Sequence, residues 1–179
     1  ITDAVWEDID NDSKKDLILV GDWTAPMIFK NTGRRLAEFT SNLTDFHGFW
    51  NAVSCVDLNN DGYTDNIILD HGDDIILNTP REPVRLVLSD GNGGYDLKEL
   101  NISNYYDFFH GGDIADLNND GKLDLVVVGP NKTYICWGNS LPTYFDYAEV
   151  HNEMGGQTFN LVISDIDKDG NKDLLFGAN

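Results

Sequence analysis

Four stretches of this chain place oxygen-bearing side chains at the same intervals. Asp8, Asp10, Asp12 and Asp16 stand at positions 1, 3, 5 and 9 of a nine-residue segment. Asp57, Asn59, Asp61 and Asp65 repeat that spacing, as do Asp116, Asn118, Asp120 and Asp124, and then Asp165, Asp167, Asp169 and Asp173. In a tight loop these side chains converge on one point, and position 7 adds its backbone carbonyl, that of Lys14, Tyr63, Lys122 or Asn171. An all-oxygen cage of this kind suits a hard dication, calcium above all.

Electrostatics supports the same reading. Two carboxylates brought to ~4 Å repel by on the order of 4 kcal/mol at an effective dielectric near 20, so several together strain an empty loop and a bound dication reverses the sign. Gly62, Gly121 and Gly170 stand where the loop turns sharply; the first copy has Ser13 there, which tolerates a positive φ less well. The twelfth position, which an EF-hand reserves for Glu, holds Leu19, Ile68, Val127 or Leu175, so that motif is excluded at each copy. The expectation is four Ca2+ sites. Their shallow, partly solvated loops place the affinity at about 10⁻⁴ to 10⁻³ M, a range filled outside cells and empty in cytosol.

Much of the charge belongs to these loops. Of 31 Asp plus Glu, 14 lie in the four segments, and four calcium ions would move the formal charge of the 179-residue chain from −19 to −11. An acidic surface repels phosphate backbones and anionic lipid, which argues against nucleic acid as a partner. The longest apolar runs, such as Leu17 to Val20 and Leu125 to Val128, fall far short of the ~20 residues a membrane helix needs, so no membrane insertion is expected. No basic-then-apolar leader follows Ile1, as in a chain whose signal peptide has been removed or one cut from a longer parent. Cys55 and Cys136 have neither metal nor redox spacing and read as buried thiols, with a disulfide as the alternative.

The segments begin 49, 59 and 49 residues apart, a period of propeller blades and solenoid repeats. Each is followed by a short apolar, β-branched run: Leu17 to Val20, Ile67 to Leu69, Leu125 to Val128 and Leu174 to Phe176. Three are followed by a further strand, Met27 to Phe29, Val84 to Leu88 and Thr133 to Cys136, and by Gly/Asn turns into fourth strands at Leu36 to Thr40, Tyr95 to Asn101 and Tyr144 to Val150. A repeated four-stranded antiparallel unit of about 50 residues is a propeller blade. The predicted fold is therefore all-β, a single β-propeller segment over 1–179 with blades at 1–50, 51–109 and 110–157 and a half blade at 158–179.

On these loops, with Gly48-Phe49-Trp50-Asn51-Ala52-Val53 before one and Ile28-Phe29-Lys30-Asn31-Thr32-Gly33 after another, the chain resembles the FG-GAP/VCBS repeat family, calcium-loop propellers related to integrin α-subunit heads. The resemblance implies a metal between the first and second strands of each blade, on the face opposite the usual ligand-binding loops. It also implies an extracellular module with a structural or adhesive role.

Three further features bear on function. Asn42, Asn101 and Asn131 head N-x-[ST] triplets in predicted connections and are candidate glycosylation sites. Aromatic and histidine residues gather between the strands, among them Trp23, His47, Trp50, Tyr105, Tyr106 and His110. Such residues either pack one blade on the next or ring a ligand face able to hold sugar rings or a protein partner. A lectin-like propeller is the alternative function and a calcium-dependent polysaccharide lyase the third, although no Ser/His/Asp or Cys/His arrangement supports catalysis. Finally, three and a half blades leave a sheet edge to be covered by a longer parent chain, by a second copy adding a strand, or by closure into a small ring.

Overall fold

The computed structural model describes residues 1–70, 84–100, 109–129, 132–139, 144–152 and 158–178. Every regular element among them is a β-strand except the 3-10 turn Asn42–Asp45, and none is a helix long and apolar enough to cross a membrane. The described residues form two compact units, one within residues 1–100 and the other within residues 101–179.

The first unit begins with β1 (Asp3–Glu7), β2 (Asp16–Val20), β3 (Asp22–Thr24), β4 (Met27–Asn31) and β5 (Leu36–Phe39). In β2 the side chains of Asp16, Ile18 and Val20 are buried while Leu17 and Leu19 are half-buried, the period of two that a sheet with one core face imposes. β1, β2, β4 and β5 pair in that order, each antiparallel to its neighbour. Next come β6 (Gly48–Val56), β7 (Asp65–Asp70), β8 (Val84–Ser89) and β9 (Tyr95–Leu100), again paired in chain order. β3 leaves the first sheet and joins the edge of β6, which makes the second sheet five-stranded. Trp23, expected in a loop, therefore lies in a strand.

The second unit holds β10 (Gly111–Ala115), β11 (Asp124–Val128), β12 (Lys132–Gly138) and β13 (Phe145–Asn152) as a third antiparallel sheet, and β14 (Thr158–Ser164) with β15 (Asp173–Ala178) as a two-stranded one. All five residues of β11 are buried, so its Val-rich run needs no alternation. In β15, Leu175 and Phe176 are exposed.

Sheets within each unit are joined at their first strands. Asp3 at the start of β1 accepts the Val53 N–H of β6 through Oδ2 at 3.0 Å, and Asp113 of β10 accepts the Ile163 N–H of β14 at 3.0 Å. The same link recurs in both units, where a polar group buried between sheets would otherwise lack a partner. Around the first link, Ile9, Ile18, Val20, Ile28, Leu43, Trp50, Val53, Val87 and Tyr95 form one core, and around the second Val126, Val128 and Leu161 form another. The fold is all-β, built of antiparallel propeller-type sheets repeated along the chain.

Candidate metal centres

The four acidic segments are the connections β1 to β2, β6 to β7, β10 to β11 and β14 to β15. All four adopt one conformation, written in the same hydrogen bonds. The position 1 carboxylate accepts two backbone N–H groups. Asp8 takes those of Asp12 and Ser13 at 3.0 and 2.8 Å, Asp57 those of Asp61 and Gly62 at 3.1 and 2.9 Å, Asp116 those of Asp120 and Gly121 at 3.1 and 2.8 Å, and Asp165 those of Asp169 and Gly170 at 3.1 and 3.0 Å. Position 5 accepts the N–H of position 7: Lys14 to Asp12, Tyr63 to Asp61 and Lys122 to Asp120 at 2.9 Å, and Asn171 to Asp169 at 2.8 Å. This last bond holds the Asp169 carboxyl below the usual carboxylate range.

Two residues per loop turn left-handed. Position 6 does so as expected, with Gly62, Gly121 and Gly170 at φ of 88, 83 and 94°, and Ser13 at 68° in the first copy. A Cβ on any of those three glycines would meet nothing within 4 Å, so backbone conformation rather than space demands them. Position 4 does so as well: Asn11, Asn60, Asn119 and Lys168 lie between 58 and 66°. Sequence reading missed this second turn, although Asn at three of the four copies was its signal, since Asn enters that region more readily than other side chains.

Position 9 has a double task. Asp16 Oδ2 accepts the Ile9 N–H at 3.2 Å, and Asp65, Asp124 and Asp173 accept those of Leu58, Leu117 and Ile166 at 3.1, 2.9 and 2.8 Å, which closes each loop. The other oxygen of Asp16, Asp65 and Asp124 accepts an N–H at the end of the next strand in its sheet: Asn31, Ser89 and Gly138, each at 2.7 Å. These three aspartates are at most 1% exposed. Burial pushes the Asp65 carboxyl above its ordinary value despite both bonds. Asp173 is half-buried.

The ligand set converges in part: among the described residues the carboxylates of positions 1, 3 and 9 come together in the first and last loops, without those of position 5, Asp12 and Asp169. One carboxylate oxygen each from Asp8, Asp10 and Asp16 lie within 4.8 Å of one another, and so do those of Asp165, Asp167 and Asp173. In the middle copies position 3 is an amide, and Asn59 and Asn118 accept the Asp61 and Asp120 N–H groups at 2.9 Å. Asp10 Oδ1 is buried and has no hydrogen-bond partner. An orphaned carboxylate oxygen facing two more carboxylates is the donor set a hard cation fits. The first loop also carries two ammonium groups on outer oxygens, Lys14 Nζ on Asp12 Oδ2 at 2.5 Å and Lys30 Nζ on Asp10 Oδ2 at 3.2 Å. The Lys14 bond lowers the Asp12 carboxyl and raises the Lys14 ammonium. Among the described residues, no ammonium pairs with the carboxylates of the other three loops. Neighbouring loops also touch: Asn11 Nδ2 donates to Gly62 O at 2.8 Å, and Asn119 Nδ2 to Asn171 Oδ1 at 3.4 Å.

The other sequence candidates divide. Trp50 is fully buried, stacks on Phe46 at 5.0 Å and donates its indole N–H to Thr24 O at 2.7 Å, so it packs the core and offers no ligand face. Trp23 is 59% exposed and His47 is exposed. His110 is half-buried and donates its backbone N–H to Val128 O. Asn42 spends its amide on the Tyr95 backbone, donating to O at 2.8 Å and accepting from N at 3.0 Å. Tyr105, Tyr106, Asn101 and Asn131 lie outside the described residues. Cys55 and Cys136 are free thiols.

These features define an acidic-loop repeat protein of the β-propeller class. The FG-GAP-like repeat matches residues 8–68, 69–127 and 116–176, and the chain belongs to that family. No curated protein sequence matches it. Among solved structures, a lectin from Agrocybe aegerita, described by its specific recognition of non-reducing terminal N-acetylglucosamine, aligns with a TM-score of 0.64 at 17% identity, over 97% of this chain and 46% of that one. This chain thus spans under half the length of that lectin, and the likeness is one of fold.

Proposed function

We propose that this chain is a calcium-braced β-propeller module that works outside the cell in a structural or adhesive role. The observation that carries the reading is the buried, unpartnered Asp10 Oδ1 beside Asp8 and Asp16, in a loop whose geometry recurs three more times. Asp8, Asp10, Asp12 and Asp16 with the Lys14 carbonyl would hold the first ion, and the corresponding residues of the other loops the rest. The ion supplies positive charge that cancels carboxylate repulsion and so stiffens the turn between the first two strands of each sheet. At free calcium ten times Kd, one site adds about 1.4 kcal/mol to folding stability. Sites of about 10⁻⁴ M would be filled by extracellular calcium. A protein partner or a second copy would meet the exposed Leu175 and Phe176 of β15. Thermal melts in calcium, magnesium and EGTA test the proposal: calcium should raise Tm well above the other two, and identical melts would refute it.

A second reading, carbohydrate recognition, is favoured by the exposure of Trp23 at a strand edge. The lectin that shares this fold recognises a terminal sugar.

A further inference from the structure

Trp23 and Trp50 meet in one small region but are treated in opposite ways. Trp50 is wholly buried, whereas Trp23 is 59% exposed at φ 55°, a conformation that a bulky side chain adopts only under constraint. The constraint is visible. The pairing of β3 with β6 slips between Asp22 and Thr24, so Trp23 is the extra residue of a bulge, a device that re-aims a side chain. Backbone on its C-terminal side is held by Trp50 Nε1 donating to Thr24 O at 2.7 Å, and the Thr24 hydroxyl donates to Gly21 O at 3.2 Å. The indole leans on Phe49, with centroids 4.1 Å apart and planes at 60°, which steadies the ring while most of its surface stays in water. A packing role would bury this ring, as it buries Trp50.

Beside it lies a cavity of about 300 Å³ lined by Trp23, Thr24, Met27, Glu38, Thr44 and His47, among others. That is the lower bound of ordinary ligand pockets, which range over about 300–1,000 Å³, and suits one small ring. Glu38, Thr44 and His47 are exposed, and the Glu38 carboxylate and His47 imidazole have no side-chain partner among the described residues. Met27 pairs with Leu19, so the Trp23 to Met27 side of the cavity lies toward the end of β2 away from Asp16, whereas Glu38 pairs with Phe29 and through it lies level with Leu17.

We infer that this cavity is a subsite for a single neutral pyranose, an assignment that rests on the carbohydrate reading and adds its location and ligand class. One C–H face of a pyranose stacks on an indole, and its hydroxyls donate to a carboxylate and to the oxygens of Thr24 and Thr44, whose own protons go to Gly21 O and Ser41 O, and exchange hydrogen bonds with imidazole. Glu38, on a chain of formal charge −19, repels uronates, sulfated sugars and phosphates, which leaves neutral sugars.

The test is isothermal titration of the full chain, in calcium, with N-acetylglucosamine and with methyl glycosides of glucose, galactose and mannose. At least one should bind. Trp23→Ala should weaken it about tenfold or more, the loss of one stacking contact. Glu38→Gln should weaken it, Trp23→Phe should retain most of it, and all three variants should keep the parent's calcium-dependent melt. Binding unchanged in Trp23→Ala would overturn this location while leaving carbohydrate recognition intact. Absence of binding to every sugar in the wild-type chain would overturn both.

Discussion

Asp16 Oδ1 accepts the backbone N–H of Asn31 at 2.7 Å, tying the last residue of an acidic loop to the end of the strand beyond its own. Asp65 and Ser89, and Asp124 and Gly138, repeat the bond at the same 2.7 Å. The ninth loop residue therefore braces the sheet as well as lining the proposed metal cage. Each carboxylate oxygen has two lone pairs, so accepting one N–H leaves room for a cation.

That dual role separates two kinds of variant. Asp124→Ala removes two buried charge-assisted bonds and should cost about 3 kcal/mol in urea denaturation even in EGTA. Asp10→Asn copies the amide that the middle loops carry at position 3. It should leave EGTA stability within about 0.5 kcal/mol while weakening the calcium response, because it neutralises an unpartnered buried oxygen. Equal losses in EGTA from both variants would contradict the division.

Backbone conformation predicts a stabilising change. Ser13 holds φ 68° where the other three copies use Gly. Ser13→Gly should stabilise the chain by about 1 kcal/mol, and Gly121→Ala should destabilise it by about 1 kcal/mol although open space surrounds the site. Urea midpoints at constant m-value measure both, and a destabilised Ser13→Gly would refute the strain argument.

The last loop should be the weakest. Among the described residues, Asp173 makes the loop-closing bond to Ile166 and no second brace, and β15 pairs with β14 alone. Hydrogen exchange in EGTA should be fastest at residues 165–173 and slowest at 116–124, with calcium narrowing the gap. Equal protection in EGTA would show that the brace does not matter.

Thiol chemistry follows from burial, complete at Cys136 and partial at Cys55, whose thiol also donates to Asn66 Oδ1; burial pushes each thiol pKa up to about 12. Both should resist iodoacetamide at pH 8 and react once the chain is unfolded. Because the folded values exceed the unfolded value of about 9, the unfolded state loses its protons first. The thiols' contribution to stability is then intact below pH 9 and falls as pH rises toward 12. Rapid labelling of the native chain at pH 8 would contradict the burial.

The acidic loops were legible because their physics is local: nine residues carry the ligands, the turn and the charge. The strands were legible through short β-branched runs bounded by Gly and Asn. The braces were not, since their partners Asn31, Ser89 and Gly138 share only a backbone N–H and lie 15, 24 and 14 residues from the aspartates they bind. β3 was hidden because three residues, Asp22, Trp23 and Thr24, are too few to show a period. Trp50 and Trp23 could not be told apart because what buries one, Phe46 and the backbone of Thr24, and what exposes the other, a bulge, arise from tertiary pairing.

The central claim is that these aspartates exist to hold calcium. Calorimetric titration of calcium into the chelator-stripped chain tests it most directly. Four equivalents with dissociation constants of about 10⁻⁴ to 10⁻³ M, absent with magnesium at the same concentrations, are predicted. A titration with no heat beyond dilution at 10 mM calcium, on a chain shown to be folded, would contradict it.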